Sequence, residues 1–260
     1  MFVKIFRWIL ISLSLYSRIP VFKFDMTEDD MKNSLMFFPF VGVIIAAVTI
    51  ALYHFFEYAG VDNTVTALIL VVVPIVITGG FHLDGFMDTE DALRSYRSKE
   101  DKLKILKDPH IGAFAVIGLL ICIITAIASV RMLLDAYDAR FVYLMGCMFV
   151  MSRSLSGITS LTMKKAKDDG MLAGETKKAA GFIMISQAIW LIVSAVTALY
   201  IYPLAFVFLS ISCAVCVAYY SGMIKKQFGG VTGDTAGYLV TVIEVSAVTV
   251  LAIFCILTGL

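Results

Sequence analysis

Seven apolar runs of roughly twenty residues recur along this chain, at about Ser34–Phe56, Thr64–Phe81, Ile111–Leu134, Phe141–Leu161, Phe182–Ile201, Pro203–Met223 and Tyr238–Leu257. A helix rises 1.5 Å per residue, so about 20 apolar residues match the roughly 30 Å of bilayer hydrocarbon. Inside that hydrocarbon the backbone has no water to bond, and helices satisfy its polar groups within one segment. The pattern predicts an all-α integral membrane protein, a bundle of about seven transmembrane helices forming one polytopic domain over residues 1–260. Composition agrees, with 60% hydrophobic and 16% charged residues, against about 45–50% and 25% in soluble domains. The net charge of +1 offers no basic surface for nucleic acid. The lipid bilayer is the expected partner, and a homo-oligomer is left open.

The first 33 residues follow a different rule. Phe2, Ile5, Phe6, Ile9, Leu10 and Leu13 stand at helical spacing, but Lys4, Arg7 and Arg18 interrupt the run. That pattern predicts a helix lying in the membrane interface, ended by Pro20. No small-residue cleavage site follows it, so the segment is expected to be retained. Over the polar stretch Val21–Asn33, Thr27-x-x-Asp30 is a helix-capping signal. The five cysteines, Cys122, Cys147, Cys213, Cys216 and Cys255, all lie in apolar runs and are expected to act as small hydrophobes.

The connections alternate in charge. Residues 57–63 carry no Lys or Arg, 82–110 carry six, 135–140 one, 162–181 five, Tyr202 none and 224–237 two. Basic loops stay in the cytoplasm. The 79–112 stretch, the 162–181 loop and the Gly-rich 229–237 loop are therefore expected on the cytoplasmic face with the N-terminus, and the C-terminus outside. No internal repeat is evident, which weighs against an inverted-repeat transporter.

The chemistry concentrates in 79–112, which holds seven of the twenty acidic residues and two of the three histidines. Asp84, Asp88 and Asp91 are spaced i, i+4 and i+7, so on a helix they form one stripe about 11 Å long. Carboxylates crowded at the membrane boundary require cations, and oxygen ligands suit a hard ion such as Mg²⁺. For any one of them the ordinary reading is a solvated helix start; three on one stripe beside Gly79, Gly80 and Gly85 favour a metal site, with Glu90 off the stripe. His82 and His110 bracket the stretch as polar contacts for substrate or as structural hydrogen-bonding groups. Most of the cations from Arg94 onward suit an inward loop near anionic lipid, but Lys107-Asp108 lies close to hydrocarbon and calls for a reason. Arg153 and Glu244 fall inside spans, where an unpaired charge costs at least about 2.5 kcal/mol, and are expected to face the bundle interior. In Gly229–Gly237 the glycines, Gly230 and Gly233 among them, leave amides free for an anion at a helix start, with Asp234 beside them; a flexible turn with Asp234 or Thr235 as cap is the plainer alternative. Carboxylates with Mg²⁺, glycines and cations together suggest phosphoryl or nucleotidyl transfer, in which a carboxylate takes the proton from an attacking hydroxyl.

Three segments then resemble the signature segments of one family: Gly79-Gly-Phe-His-Leu-Asp-Gly-Phe-Met-Asp-Thr-Glu-Asp91, Lys107-Asp-Pro-His-Ile-Gly-Ala-Phe114 and Gly230-Val-Thr-Gly-Asp-Thr-Ala-Gly237. Together with Tyr16-Ser-Arg-Ile-Pro20 and Phe38-Pro-Phe-Val-Gly42, they are similar, in order and over most of the chain, to the cobalamin synthases, the adenosylcobinamide-GDP ribazoletransferases. The resemblance implies an enzyme of a prokaryotic plasma membrane with its active face toward the cytoplasm. Its substrates would be adenosylcobinamide-GDP and α-ribazole or α-ribazole 5′-phosphate, its products adenosylcobalamin or its phosphate and GMP, and its cofactor Mg²⁺. It puts Asp84, Asp88 and Asp91 on the acidic motif as metal ligands. Asp108 falls on the family's Lys-Asp segment and Asp234 on its Gly-Asp segment. From the residues themselves we take Asp91, Asp108 and Asp234 as the candidate catalytic carboxylates, and His82, Lys107, His110, Arg153, Gly230 and Gly233 as the candidate substrate contacts. The chain departs from the family pattern at Ala92-Leu93, where a second glycine is common, and at Pro109, where a small polar residue is. Two rival readings stand beside it: a CDP-alcohol phosphotransferase, whose acidic motif has another spacing, and a cation transporter, for which Glu244 alone is a mid-span carboxylate.

Overall fold

The computed structural model describes residues 2–22, 25–166 and 180–259. Much of the expected 162–181 loop, including Asp168 and Asp169, lies outside the described residues. The apolar runs are helices, and no strand occurs among the described residues. In order they are α1 (Phe2–Tyr16), α2 (Glu28–Ser34), α3 (Phe38–Tyr58), α4 (Asn63–Thr78), α5 (Phe81–Arg94), α6 (Lys99–Ile105), α7 (Ala113–Asp135), α8 (Arg140–Thr162), α9 (Ala180–Ile201), α10 (Pro203–Gln227) and α11 (Gly233–Thr258). Six of them, α3 and α7 to α11, are each long and apolar enough to cross a membrane. α4, the apolar arm of a bent pair with α5, makes the seventh.

α8 is the axis of the bundle. Its large residues Phe141, Leu144, Met148 and Phe149 are buried, and its second half is rich in small residues, Ser152, Ser154, Ser156 and Gly157 among them. Small side chains permit close packing where burial alone does not drive helices together. Gly42 of α3 shows how close: a Cβ there would lie 2.5 Å from the Phe149 carbonyl oxygen. α7, α9 and α10 instead expose Ile121, Ile124, Ile189, Ile192, Ile211 and Val215 on their outer, apolar faces. α1 is too short to span at 15 residues. It buries Ile11, Leu13 and Tyr16 and leaves Phe6 outside. Arg7 pairs with Asp30 at 2.8 Å, which joins α1 to α2, and the expected Thr27/Asp30 capping box is formed.

The decisive departure from the expected spans is at the end of α4. The apolar run continues to Phe81, but the helix stops at Thr78. Gly79 (φ 68°) and Gly80 (φ 80°) both adopt the left-handed region, and the chain turns by 94° into α5. Only glycine adopts that conformation without strain. With four carboxylates in 14 residues, α5 is too polar to continue into hydrocarbon and runs across the end of the bundle against α7 and α11. At the other boundary, the last span is expected from Tyr238, yet α11 starts five residues earlier. Thr232 and Thr235 form a capping box there, which satisfies the first amides and carries Asp234 into the first helical turn.

Candidate active site at one end of the bundle

The site is built where α5 lies on the first turn of α11. Gly85 makes the contact possible, because a Cβ there would fall 2.6 Å from the Asp234 carbonyl oxygen and 2.9 Å from its Cα. Gly237 is next: its Cβ would stand 3.2 Å from the His82 backbone. Phe86 stacks on Tyr238 at 5.4 Å between ring centres, and the Thr241 hydroxyl donates to the His82 carbonyl. These contacts set Asp84 and Asp88 of α5 beside Asp234, about 150 positions further along the chain.

The electrostatics of that group are unbalanced. Burial first, then the neighbouring charges of Asp84, Asp234 and Asp91, push the Asp88 carboxyl up to about 6. Lys107 is near enough to attract Asp234. A carboxylate so destabilised by its neighbours is the donor set a divalent cation relieves. Among the described residues, no three His, Cys, Asp or Glu side chains are gathered closely enough to hold a metal alone. Mg²⁺ does not require three, since it ordinarily takes one or two carboxylates and completes its octahedron with water and substrate phosphate. Asp84, exposed, and Asp88, half-buried, fit that demand.

Asp91 is on the stripe but is already engaged. Its two oxygens accept the amides of Gly112 (2.6 Å) and Ala115 (2.9 Å), so it caps α7 from a neighbouring helix and fixes α5 against it. Gly112 allows this, as a Cβ there would overlap the Asp91 carboxylate. Asp108 and His110 sit in an exposed turn and bond each other: the His110 amide donates to Asp108 at 3.0 Å, and the His110 ring nitrogen lies 2.6 Å from the same oxygen. Those bonds hold the Asp108 carboxyl below the usual carboxylate range.

His82 and Arg153 turn inward. His82 is buried, stacked on Phe38 at 5.4 Å, and both its ring nitrogens are without a partner among the described residues. It lines an intramembrane cavity of about 90 Å³ with Arg153 and Glu244. Arg153, as expected, faces the bundle interior and pairs with Glu244 at 2.6 Å; Ser152 donates to the same carboxylate. The Gly-rich loop forms another wall. Lys164 and Ala166 exchange backbone hydrogen bonds with Val231, at 2.8 and 3.1 Å. Gly230 packs under this strip so closely that a Cβ would lie 2.3 Å from the Lys165 carbonyl carbon, whereas Gly233 is open. The sequence singled out the glycines but carried no signal for this pairing. Nor did it assign Arg18 to the site. The structure opens a groove of about 660 Å³ between the end of α1 and the α4–α5 elbow, lined by Arg18, Gly79, Gly80, Asp84 and Met87 among others.

Residues 8–252 match the family described as Cobalamin-5-phosphate synthase. Curated relatives named adenosylcobinamide-GDP ribazoletransferase include one from Lachnoclostridium phytofermentans, 34% identical over 240 residues that cover 91% of this chain and 90% of the relative. One from Clostridium botulinum is 31% identical over 247 residues, covering 93% and 95%, and one from Clostridium perfringens is 29% identical over 257 residues, covering 96% and 99%. No solved structure matches the chain.

Proposed function

This chain belongs to the cobalamin-5-phosphate synthase family, and from that premise we propose that it is an adenosylcobinamide-GDP ribazoletransferase, a multi-pass bacterial membrane enzyme. The reaction moves the adenosylcobinamide-phosphate group of adenosylcobinamide-GDP onto a hydroxyl of α-ribazole or its 5′-phosphate. The hydroxyl oxygen attacks the phosphorus on the cobinamide side, the bridging P–O bond breaks and GMP leaves with the bridging oxygen. The hydroxyl proton passes to a carboxylate.

The observation that carries this reading is the meeting of Asp84 and Asp88 with Asp234, in which the half-buried Asp88 is repelled by the other two and, among the described residues, has no cation beside it. Asp84 and Asp88 are the residues that would hold Mg²⁺, which when bound neutralises charge developing on phosphate oxygens. Asp234 stands at the start of α11, attracted by Lys107; it takes the proton from the acceptor hydroxyl, while Lys107 receives phosphate charge. Asp91 positions α5 through the Gly112 and Ala115 amides at the start of α7. The basic connections favour the cytoplasm for this end of the bundle. The test is turnover by the purified protein in liposomes: corrinoid product and GMP should form with Mg²⁺ and fall by at least about 100-fold in Asp84→Asn and Asp88→Asn. Undiminished turnover in both variants would refute the metal assignment.

A further inference from the structure

The groove beside the elbow contains a cation to which neither the fold nor the ribazoletransferase reaction has yet given an anion. Arg18 is held by other means: its amide donates to the Ile77 carbonyl at 2.8 Å, and its stem lies over Gly79, where a Cβ would fall 2.3 Å from Arg18 Cγ. Gly79 is therefore required twice, for its positive φ and for the room it leaves this stem. The side chain is exposed, and among the described residues no hydrogen bond or ion pair engages its guanidinium. Asp84 lines the same groove without pairing to it.

A guanidinium presents a planar fork of donors that matches phosphate oxygens and is less strongly hydrated than an ammonium. Arg18 and Asp84 line one open groove, yet among the described residues no ion pair joins them. The Arg18 main chain is bonded to the Ile77 carbonyl and its stem lies against Gly79, so the residue is anchored on the elbow side of the groove. A ligand that satisfies both walls bears phosphate oxygens for Arg18 and, through a divalent cation, for Asp84.

We propose that Arg18 is a phosphate-binding residue of the active site and that the groove between the end of α1 and the α4–α5 elbow takes the phosphate groups of the nucleotide-activated donor. This rests on the ribazoletransferase reaction and deepens it. Phosphate oxygens could also come from a lipid headgroup, so the experiment separates the two sources.

In the first arm, detergent-purified wild-type protein is treated with phenylglyoxal, and modification of Arg18 is followed by peptide mass spectrometry with and without magnesium pyrophosphate. Pyrophosphate should slow modification of Arg18 at least fivefold and leave exposed Arg97 unchanged; an equal rate with and without it overturns the proposal. This arm needs no turnover, so it still reads the groove if the assigned reaction fails. In the second arm, Arg18→Ala should raise KM for the donor at least tenfold with KM for α-ribazole within twofold, and Arg18→Lys should recover part of the loss. A purely structural role would move both constants or only the folded yield; an unchanged donor KM in folded Arg18→Ala overturns the assignment. In the third arm, neutral phosphatidylcholine vesicles are compared with vesicles containing phosphatidylglycerol. Protection of Arg18 by the anionic lipid alone, with none from pyrophosphate, makes this a headgroup site and refutes the substrate role.

Discussion

Gly85→Ala is the sharpest probe of how this site is assembled. The added Cβ would sit 2.6 Å from the Asp234 carbonyl oxygen, 2.9 Å from its Cα and 3.1 Å from its carbonyl carbon, all backbone atoms that cannot rotate aside. Restoring an ordinary contact of 3.4 Å requires α5 and the start of α11 to separate by 3.4 − 2.6 = 0.8 Å. Overpacking of this kind costs about 1–3 kcal/mol. Replacing glycine within a helix returns about 1 kcal/mol, so the net loss of stability should be about 0–2 kcal/mol. The catalytic effect should be much larger, because Asp84 and Asp88 ride on one partner and Asp234 on the other, and displacement of reacting groups by about 1 Å costs about 100-fold in rate. The assay pairs turnover, read as GMP and corrinoid product by chromatography, with thermal unfolding of the same preparation. Gly222→Ala on α10, where a Cβ meets nothing within 4 Å, is the control and should keep wild-type rate. If folded Gly85→Ala turns over within threefold of wild type, the contact between α5 and α11 does not set the catalytic geometry.

Other outcomes rest on the same structure. The Asp88 carboxyl is raised above its unfolded value of 3.8 to about 6, so without divalent cations its share of stability is present below about pH 4 and is lost as pH rises through about 6. The melting temperature in EDTA should therefore fall across that window, and the Mg²⁺ concentration giving half-maximal activity should rise up to about tenfold per unit as pH drops below about 6; pH-independence of both would refute the carboxylate crowding. Asp91→Ala removes a charged acceptor from the Gly112 and Ala115 amides at the start of α7 and should lower stability by about 1–3 kcal/mol. Asp91→Asn should recover part of that, and its remaining activity should exceed that of Asp84→Asn; the reverse order would return Asp91 to the metal. Arg153→Met strands Glu244, which should cost about 3–5 kcal/mol, read as lost folded yield in detergent. The double variant Arg153→Met/Glu244→Gln should restore much of it, and failure to do so would show that Arg153 acts through more than this pair.

Much of the fold was legible in the linear chain because hydrocarbon thickness imposes a length on every span, and that length shows as a count of apolar residues. The Thr27/Asp30 cap was legible for a similar reason, since both partners lie within one turn. The stripe of Asp84, Asp88 and Asp91 followed from helical periodicity alone. Its division of labour did not: Asp91 differs from its two neighbours only in facing the start of α7, and no local pattern records that. The break after Thr78 was hidden because Gly79, Gly80 and Phe81 extend an apolar run, and hydropathy does not distinguish a glycine in a helix from one in the left-handed region.

The sequence by itself therefore determined the class, the number and approximate places of the spans, the alternation of basic connections and the types of residue available for chemistry, all of which depend on distances along the chain. Only the tertiary structure decided which of those residues meet. The 94° elbow lays α5 over the first turn of α11, Gly85 lets their backbones touch, and Asp234 thereby joins carboxylates about 150 positions earlier. The same elbow receives Arg18 from the far end of the chain. Close approach of backbones is a property of packing, and a sequence records it only as glycines whose partners it does not name.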